Sequence, residues 1–168
     1  PAPYYDSTAG WQAIMGASSF GVAHATWHNG PGESGSTQDE IALIARSTNG
    51  FGFRPDDHAG TLAGASPLTA SGAAFSGKGI IGPNGDVDVF SFTTAGTGSV
   101  RISVEGPAVA QSLDAVLELR DAAGTLLLAS NPGESLDASL IGGVTGTAYV
   151  VVKSTGVYGR MGQYTVNV

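Results

Sequence analysis

The sequence predicts a mainly β chain: an antiparallel β-sandwich or jelly roll of about eight strands, preceded by an N-terminal loop-rich segment carrying one helix. Three observations predict it. Apolar and polar residues alternate with a period of two in stretches such as Ser99-Val100-Arg101-Ile102-Ser103-Val104-Glu105. Clusters of Gly, Pro, Asn and Ser separate most of these runs. Charged residues make up 12% of the chain while glycine fills 26 of its 168 positions, the balance of a turn-rich β protein rather than a helical one.

Residues 1–55 read differently from the rest. They hold both tryptophans, Trp11 and Trp27, and two of the three histidines, His24 and His28, with no clean alternation. Thr37-Gln38-Asp39-Glu40 matches a T-x-x-E capping box. Ile41, Leu43, Ile44 and Ala45 follow, then Arg46, with Gly50 as a stop. A helix is expected over about 37–47. Phe51 to Pro55 leads into Asp56-Asp57-His58, which reads as a linker into a new unit spanning 56–168.

Strands are then expected at about 78–81, 87–93, 98–105, 114–120, 125–130, 135–141, 147–154 and 162–168. The spacing of eight such runs indicates a sandwich or jelly roll. Ala115, Leu117 and Leu119 share one face, and Val116, Glu118 and Arg120 the other. Tyr149-Val150-Val151-Val152 reads as a central strand. The expected core includes Phe90, Phe92, Val100, Ile102, Val104, Leu117, Leu119, Leu127, Tyr149, Val151 and Val166.

The informative strand is Asp86-Val87-Asp88-Val89-Phe90-Ser91-Phe92, entered from the turn Gly82-Pro83-Asn84-Gly85. Alternation puts Asp86, Asp88, Phe90 and Phe92 on one face. A carboxylate beside a core is costly unless a cation or several donors satisfy it. Two readings compete. A calcium ion would take oxygens from Asp86 and Asp88, with Asp56 and Asp57 closing from the linker and Asn84 adding an amide oxygen. Alternatively the aspartates cap backbone N–H groups in a turn. The shared phenylalanine face favours calcium.

Other chemistry is poorly supported. His24 and His28 have H-x-x-x-H spacing, but the flanking Gly and Pro do not support the helix that zinc binding at that spacing needs. No serine sits in G-x-S-x-G. Gly77-Lys78-Gly79 lacks the rest of a phosphate loop and reads as a turn. Tyr4, Tyr5, Trp11 and Trp27 form either a sugar platform or a satellite core, the latter being the commoner use. The chain has no cysteine, so thiolate sites and disulfides are excluded. A net charge of −7 disfavours nucleic acid. No apolar run reaches the length of a membrane span. The sequence opens on Pro1 without a visible signal peptide, and so reads as a processed form or a fragment.

Two resemblances emerge from these residues. Asp56-Asp57-His58, Gly85 to Phe92, Leu113 to Gly124, Thr147 to Val152 and Gly162 to Val166 resemble, in that order, the bacterial pre-peptidase C-terminal domain. That resemblance implies a secreted β-sandwich appended to a peptidase, some of whose relatives bind calcium near the strand just described. Trp11-Gln12-Ala13-Ile14-Met15-Gly16 resembles the Met-turn of reprolysin-like metzincin peptidases, and Gln38 to Ile44 their final helix. Metzincins bind zinc through H-E-x-x-H-x-x-G-x-x-H, and that motif is absent from the chain. The resemblance therefore places any Zn2+ in a part of a parent peptidase upstream of Pro1, and no catalytic residue in this chain.

The expectation is a non-catalytic, calcium-stabilised, extracellular accessory module. It would bind substrate, protein matrix or polysaccharide, or serve export and stability of its parent, and act as a monomer. A carbohydrate-binding module is the alternative, and a structural or adhesive surface module a further one.

Overall fold

The computed structural model describes residues 11–14, 24–31, 37–50 and 52–168. In the first part, β1 (Trp11–Ala13) pairs in parallel with β2 (His24–Thr26), and β3 (Asn29–Pro31) pairs antiparallel with β4 (Thr37–Asp39). Helix α1 spans only Glu40–Ile44. It starts later than the capping box predicts because residues 37–39 are held as a strand. The N-cap is Asp39, whose carboxylate accepts from the Ala42 N–H at 2.8 Å. Glu40 instead reaches across to accept the His28 N–H at 2.8 Å. The amide of Asn49 donates to the Leu43 and Ile44 carbonyls that the helix end leaves open. Met15, Tyr4 and Tyr5 lie outside the described residues.

Ten strands then build two sheets. They are β5 (Ser66–Pro67), β6 (Thr69–Ser71), β7 (Ala74–Ile81), β8 (Val87–Thr93), β9 (Gly98–Glu105), β10 (Ala115–Arg120), β11 (Leu126–Ser130), β12 (Ala138–Val144), β13 (Thr147–Ser154) and β14 (Gly162–Asn167). Sheet one has the order β11-β10-β13-β8-β5, and sheet two β12-β9-β14-β7-β6. All pairings are antiparallel except β5 with β8. The expected sandwich is present, with two short strands more than the eight predicted. No helix among the described residues is long and apolar enough to cross a membrane.

One core fills the space between the sheets. Sheet one contributes Phe90, Phe92, Ala115, Leu117, Leu119, Ala148, Val150 and Val152, and sheet two Ile81, Ile102, Val104, Ala138, Val144, Tyr164 and Val166. Val100 packs at its margin. Three expected core residues are placed otherwise. Leu127 is 42% exposed on the edge strand β11. Tyr149 and Val151 lie on the opposite face of β13, because Val150 and Val152 pair with Leu119 and Leu117 on the inner side.

Two glycine-rich stretches are strand beyond what the sequence predicts: Gly77-Lys78-Gly79, read as a turn, and the residues after 141. Gly77 and Gly79 lie inside β7. A Cβ on Gly77 would stand 2.7 Å from Leu68 and 3.3 Å from Phe90. The expected strand 135–141 is displaced to Ala138–Val144 and includes Gly142. A Cβ there would stand 2.7 Å from Leu119 and 2.8 Å from Leu128. In both places large side chains occupy the room that glycine leaves. Ser135 to Asp137 turn instead, with the Ser135 hydroxyl accepting the Asp137 N–H at 3.1 Å.

The segment from Asp56 to Leu68 runs along the β8 edge of sheet one, and its Leu62 side chain reaches the turn after β10, 2.5 Å from where a Cβ on Gly124 would stand. The Val89 N–H donates to the Ala59 carbonyl at 3.2 Å and the Leu68 N–H to the Ser91 carbonyl at 2.9 Å. Beneath this strap Val89 is 2% exposed. Further along the same face, Glu118 accepts from Lys153 at 2.5 Å and from Arg120 at 2.6 Å. Burial alone would raise the Glu118 pKa, but the two cations outweigh it and hold the carboxyl below its usual range.

Candidate metal centre

The site forms where the strap meets the rim of the sandwich. Asp88 comes from β8 and faces inward with Phe90, as the alternation requires, and its side chain has no solvent exposure. The Tyr164 hydroxyl, from β14, donates to its Oδ2 at 2.5 Å. The approach of the two is possible because Gly79 lies between them, and any Cβ there would collide with the Tyr164 hydroxyl and come within 2.9 Å of Asp88 Oδ2. Asp88 Oδ1 is buried and has no hydrogen-bond partner. Burial pushes the Asp88 pKa up to about 7; Tyr164 opposes that, while Asp86 and Asp57 add to it. The Tyr164 hydroxyl is raised as well, first by burial and then by Asp88.

The linker closes on this carboxylate from outside. One oxygen from each of Asp56, Asp57 and Asp88 lies within 4.8 Å of the others, the only such metal-competent group of three among the described residues. His58 anchors the strap here. Its Nε2 lies 2.8 Å from the Lys78 carbonyl, its Nδ1 2.8 Å from the Ser66 hydroxyl, and its ring 4.6 Å from that of Phe90. A carbonyl only accepts, so Nε2 carries a proton and a neutral ring would accept at Nδ1 from Ser66. A cavity of about 310 Å³, lined by Asp57, Lys78, Gly79, Glu105 and Tyr164 among others, lies beside Asp57.

Asp56 Oδ1 also accepts the His58 N–H at 3.2 Å, and Asp57 lies 3.6 Å from His58 Nε2. The other two expected ligands, Asp86 and Asn84, are engaged away from this group. Asp86 Oδ2 accepts the Gly82 N–H at 2.7 Å, which makes it a turn cap. Asn84 bridges to the loop between β13 and β14, accepting from the Gly159 N–H at 3.1 Å and donating to the Gly156 carbonyl at 3.3 Å. Asp56, Asp57 and Asp88 do converge. Tyr164, His58 and Gly79 belong to the same site but carry no ligand signature that sequence reading picks out. His24 and His28 lie in and just after β2 rather than on a helix, and His24 stacks on Trp11 at 5.0 Å.

The loop that Asn84 grips also receives the N-terminal segment. The Tyr158 hydroxyl donates to Asp39 and accepts the Ile41 N–H at 3.1 Å. Its hydroxyl pKa is pushed up to about 12, first by burial and then by Asp39, whose own carboxyl Tyr158 holds low. Arg160 sits 4.7 Å over the Trp11 ring and pairs with Asp114 at 2.5 Å. Gly159 has φ +80°, and a Cβ there would collide with Thr26 and the Trp27 carbonyl.

No family model matches the chain, and no curated protein matches it. Among solved structures it is similar to the pre-peptidase C-terminal domain of a collagenase from Bacillus anthracis, at 16% identity and TM-score 0.45, covering 67% of this chain and 95% of that one. It is also similar to a periplasmic inhibitor of g-type lysozyme from Aeromonas hydrophila, at 14% identity and TM-score 0.44, covering 61% and 92%. Likenesses this distant assign neither a family nor an activity.

Proposed function

We propose that the chain is a non-catalytic accessory β-sandwich of a secreted metallopeptidase, and that a calcium ion on Asp56, Asp57 and Asp88 fastens its linker to its core. The observation that carries this reading is the convergence of two linker carboxylates on a buried one whose Oδ1 has no partner. An orphaned buried carboxylate oxygen is unfavourable, and a hard cation relieves it. Calcium takes six to eight oxygens, so water and nearby carbonyls would complete the set. Asp56 and Asp57 sit at the start of the strap, so the ion would set the direction in which the preceding segment leaves the sandwich. The zinc chemistry belongs, on this reading, to the upstream part of the parent, and the module serves substrate or matrix binding or the stability of that enzyme.

Calorimetric titration with calcium, paired with melting curves in calcium and in EDTA, tests the site. Binding to the folded form alone raises the melting temperature by mass action. Asp88→Asn should abolish the shift, and Asp57→Asn should weaken binding at least tenfold. No heat and no shift at millimolar calcium would remove the ion from the proposal. The carbohydrate-binding alternative has less support among the described residues, because Trp11 lies under Arg160 and beside His24 rather than in an open row of rings.

A further inference from the structure

The two sides of the sandwich end differently. On one side the edge strands are β5, two residues long and containing Pro67, and β6, three residues long. Short edges and proline are the usual protection against pairing with another chain. On the other side the edges are β11, five residues, and β12, seven residues. These two lie together, since Leu128 packs over Gly142. Neither contains a proline or a charge. Residues 122–133 and 138–152 carry no charged side chain at all, in a chain of net charge −7. Leu126, Leu127, Leu128 and Ile141 are 49%, 42%, 41% and 57% exposed there. The one protective feature is a register shift in the pairing of β10 with β11 beside Leu119 and Arg120.

We propose that this side is a homodimer interface, in which the β11–β12 side of one copy meets the same side of a second across a twofold axis, edge strands antiparallel. An antiparallel pairing of identical edges is self-complementary, as a twofold contact requires. Copies of a chain this acidic repel one another, and here the strands that meet carry no acidic residue, while the nearest charges across from Ile141 and Leu126 are the cations Arg101 and Arg120. The area sets the strength. A seven-residue strand is about 23 Å long and stacked sheets lie about 10 Å apart, so each copy buries a few hundred Å². That falls below the roughly 800 Å² per partner of a standard stable interface. The dimer is therefore weak and concentration-dependent, and departs from the monomer expected from sequence.

Sedimentation velocity on the whole chain, from roughly 10 μM to 1 mM, spans the affinities so small an interface supports. Wild type should show reversible monomer–dimer exchange. The double variant Leu127→Lys with Ile141→Lys should weaken association at least tenfold at an unchanged melting temperature. Ala129→Lys adds a charge to the same edge without removing an apolar side chain, and should weaken it likewise if the double variant fails to fold. A monomer at every concentration would overturn the proposal. So would a dimer undiminished in the folded variants, or open-ended polymers, which a twofold contact cannot build.

Discussion

The outer faces of the two sheets are built on different terms. Sheet one is covered on both sides: the core lies beneath it, and the strap from Asp56 to Leu68 and the Glu118–Lys153–Arg120 cluster lie above. Among the described residues sheet two is covered on one side only, and Lys78, Arg101, Glu105, Gln163 and Asn167 project from it into solvent. The sequence pattern follows. Doubly covered β13 reads Tyr149-Val150-Val151-Val152 with no alternation, whereas singly covered β9 alternates cleanly. β8 and β10 in the same sheet stay legible because aspartate, glutamate and arginine mark one of their faces, a mark that β13 lacks over Tyr149–Val152. The candidate ion site sits where the cover of sheet one begins.

Substitutions can break or sharpen this contrast. The largest effect is expected at the shared core: Phe90→Ala should cost about 3–5 kcal/mol in urea unfolding. Next comes Asp88. Its carboxyl is raised by burial, so the native state holds a proton that the unfolded chain releases from about pH 4 upward. Without calcium, stability should be fullest below about pH 4 and fall by about 2–4 kcal/mol as pH rises through about 7. Asp88→Asn should flatten that fall, and melting curves at several pH values in EDTA check it. Calcium should oppose the same loss in wild type.

The outer faces themselves should then part company. Glu118→Gln under the cover of sheet one should cost about 1–2 kcal/mol by thermal melting, because the hydrogen bonds from Lys153 and Arg120 lose their charged acceptor. The Glu118 carboxyl is held low, so its contribution is present above the unfolded carboxylate range and fades as pH falls. Val151→Ala should cost about 1–2 kcal/mol, since Val151 is 6% exposed although it lies outside the core. Asn167→Ala on sheet two should fall within about 0.5 kcal/mol of wild type. Equal costs at Val151 and Asn167 would show that the strap covers nothing of energetic consequence.

Legibility varied with what each residue faced. β8 was readable because a Gly-Pro-Asn-Gly turn starts it and Val87, Asp88, Val89 and Phe90 take alternate sides. The convergence of Asp56 and Asp57 on Asp88 was anticipated from the linker's composition. Asp86 takes the capping role that the sequence offered as its alternative, within its own turn. That Asn84 would be held by the loop from Gly156 to Gly159 was not legible, because that loop reaches it only in three dimensions. The expected strand stopped at 141, one residue short of Gly142, since the reason for that residue's smallness is the side chains of Leu119 and Leu128 from other strands. The helix start was misplaced by three residues because cross-strand pairing to β3 outcompeted a local cap.

By itself, the order of residues determined that the chain is a sandwich, where most of its strands run, and which face of β8, β9 and β10 turns to the core. Those properties follow from periodicity and turn chemistry, which act over a few neighbours. Only the tertiary structure decided which face of β13 points inward, which glycines sit in strands, and which acidic residues meet. Those outcomes depend on what packs from far along the chain, and local alternation carries no record of it.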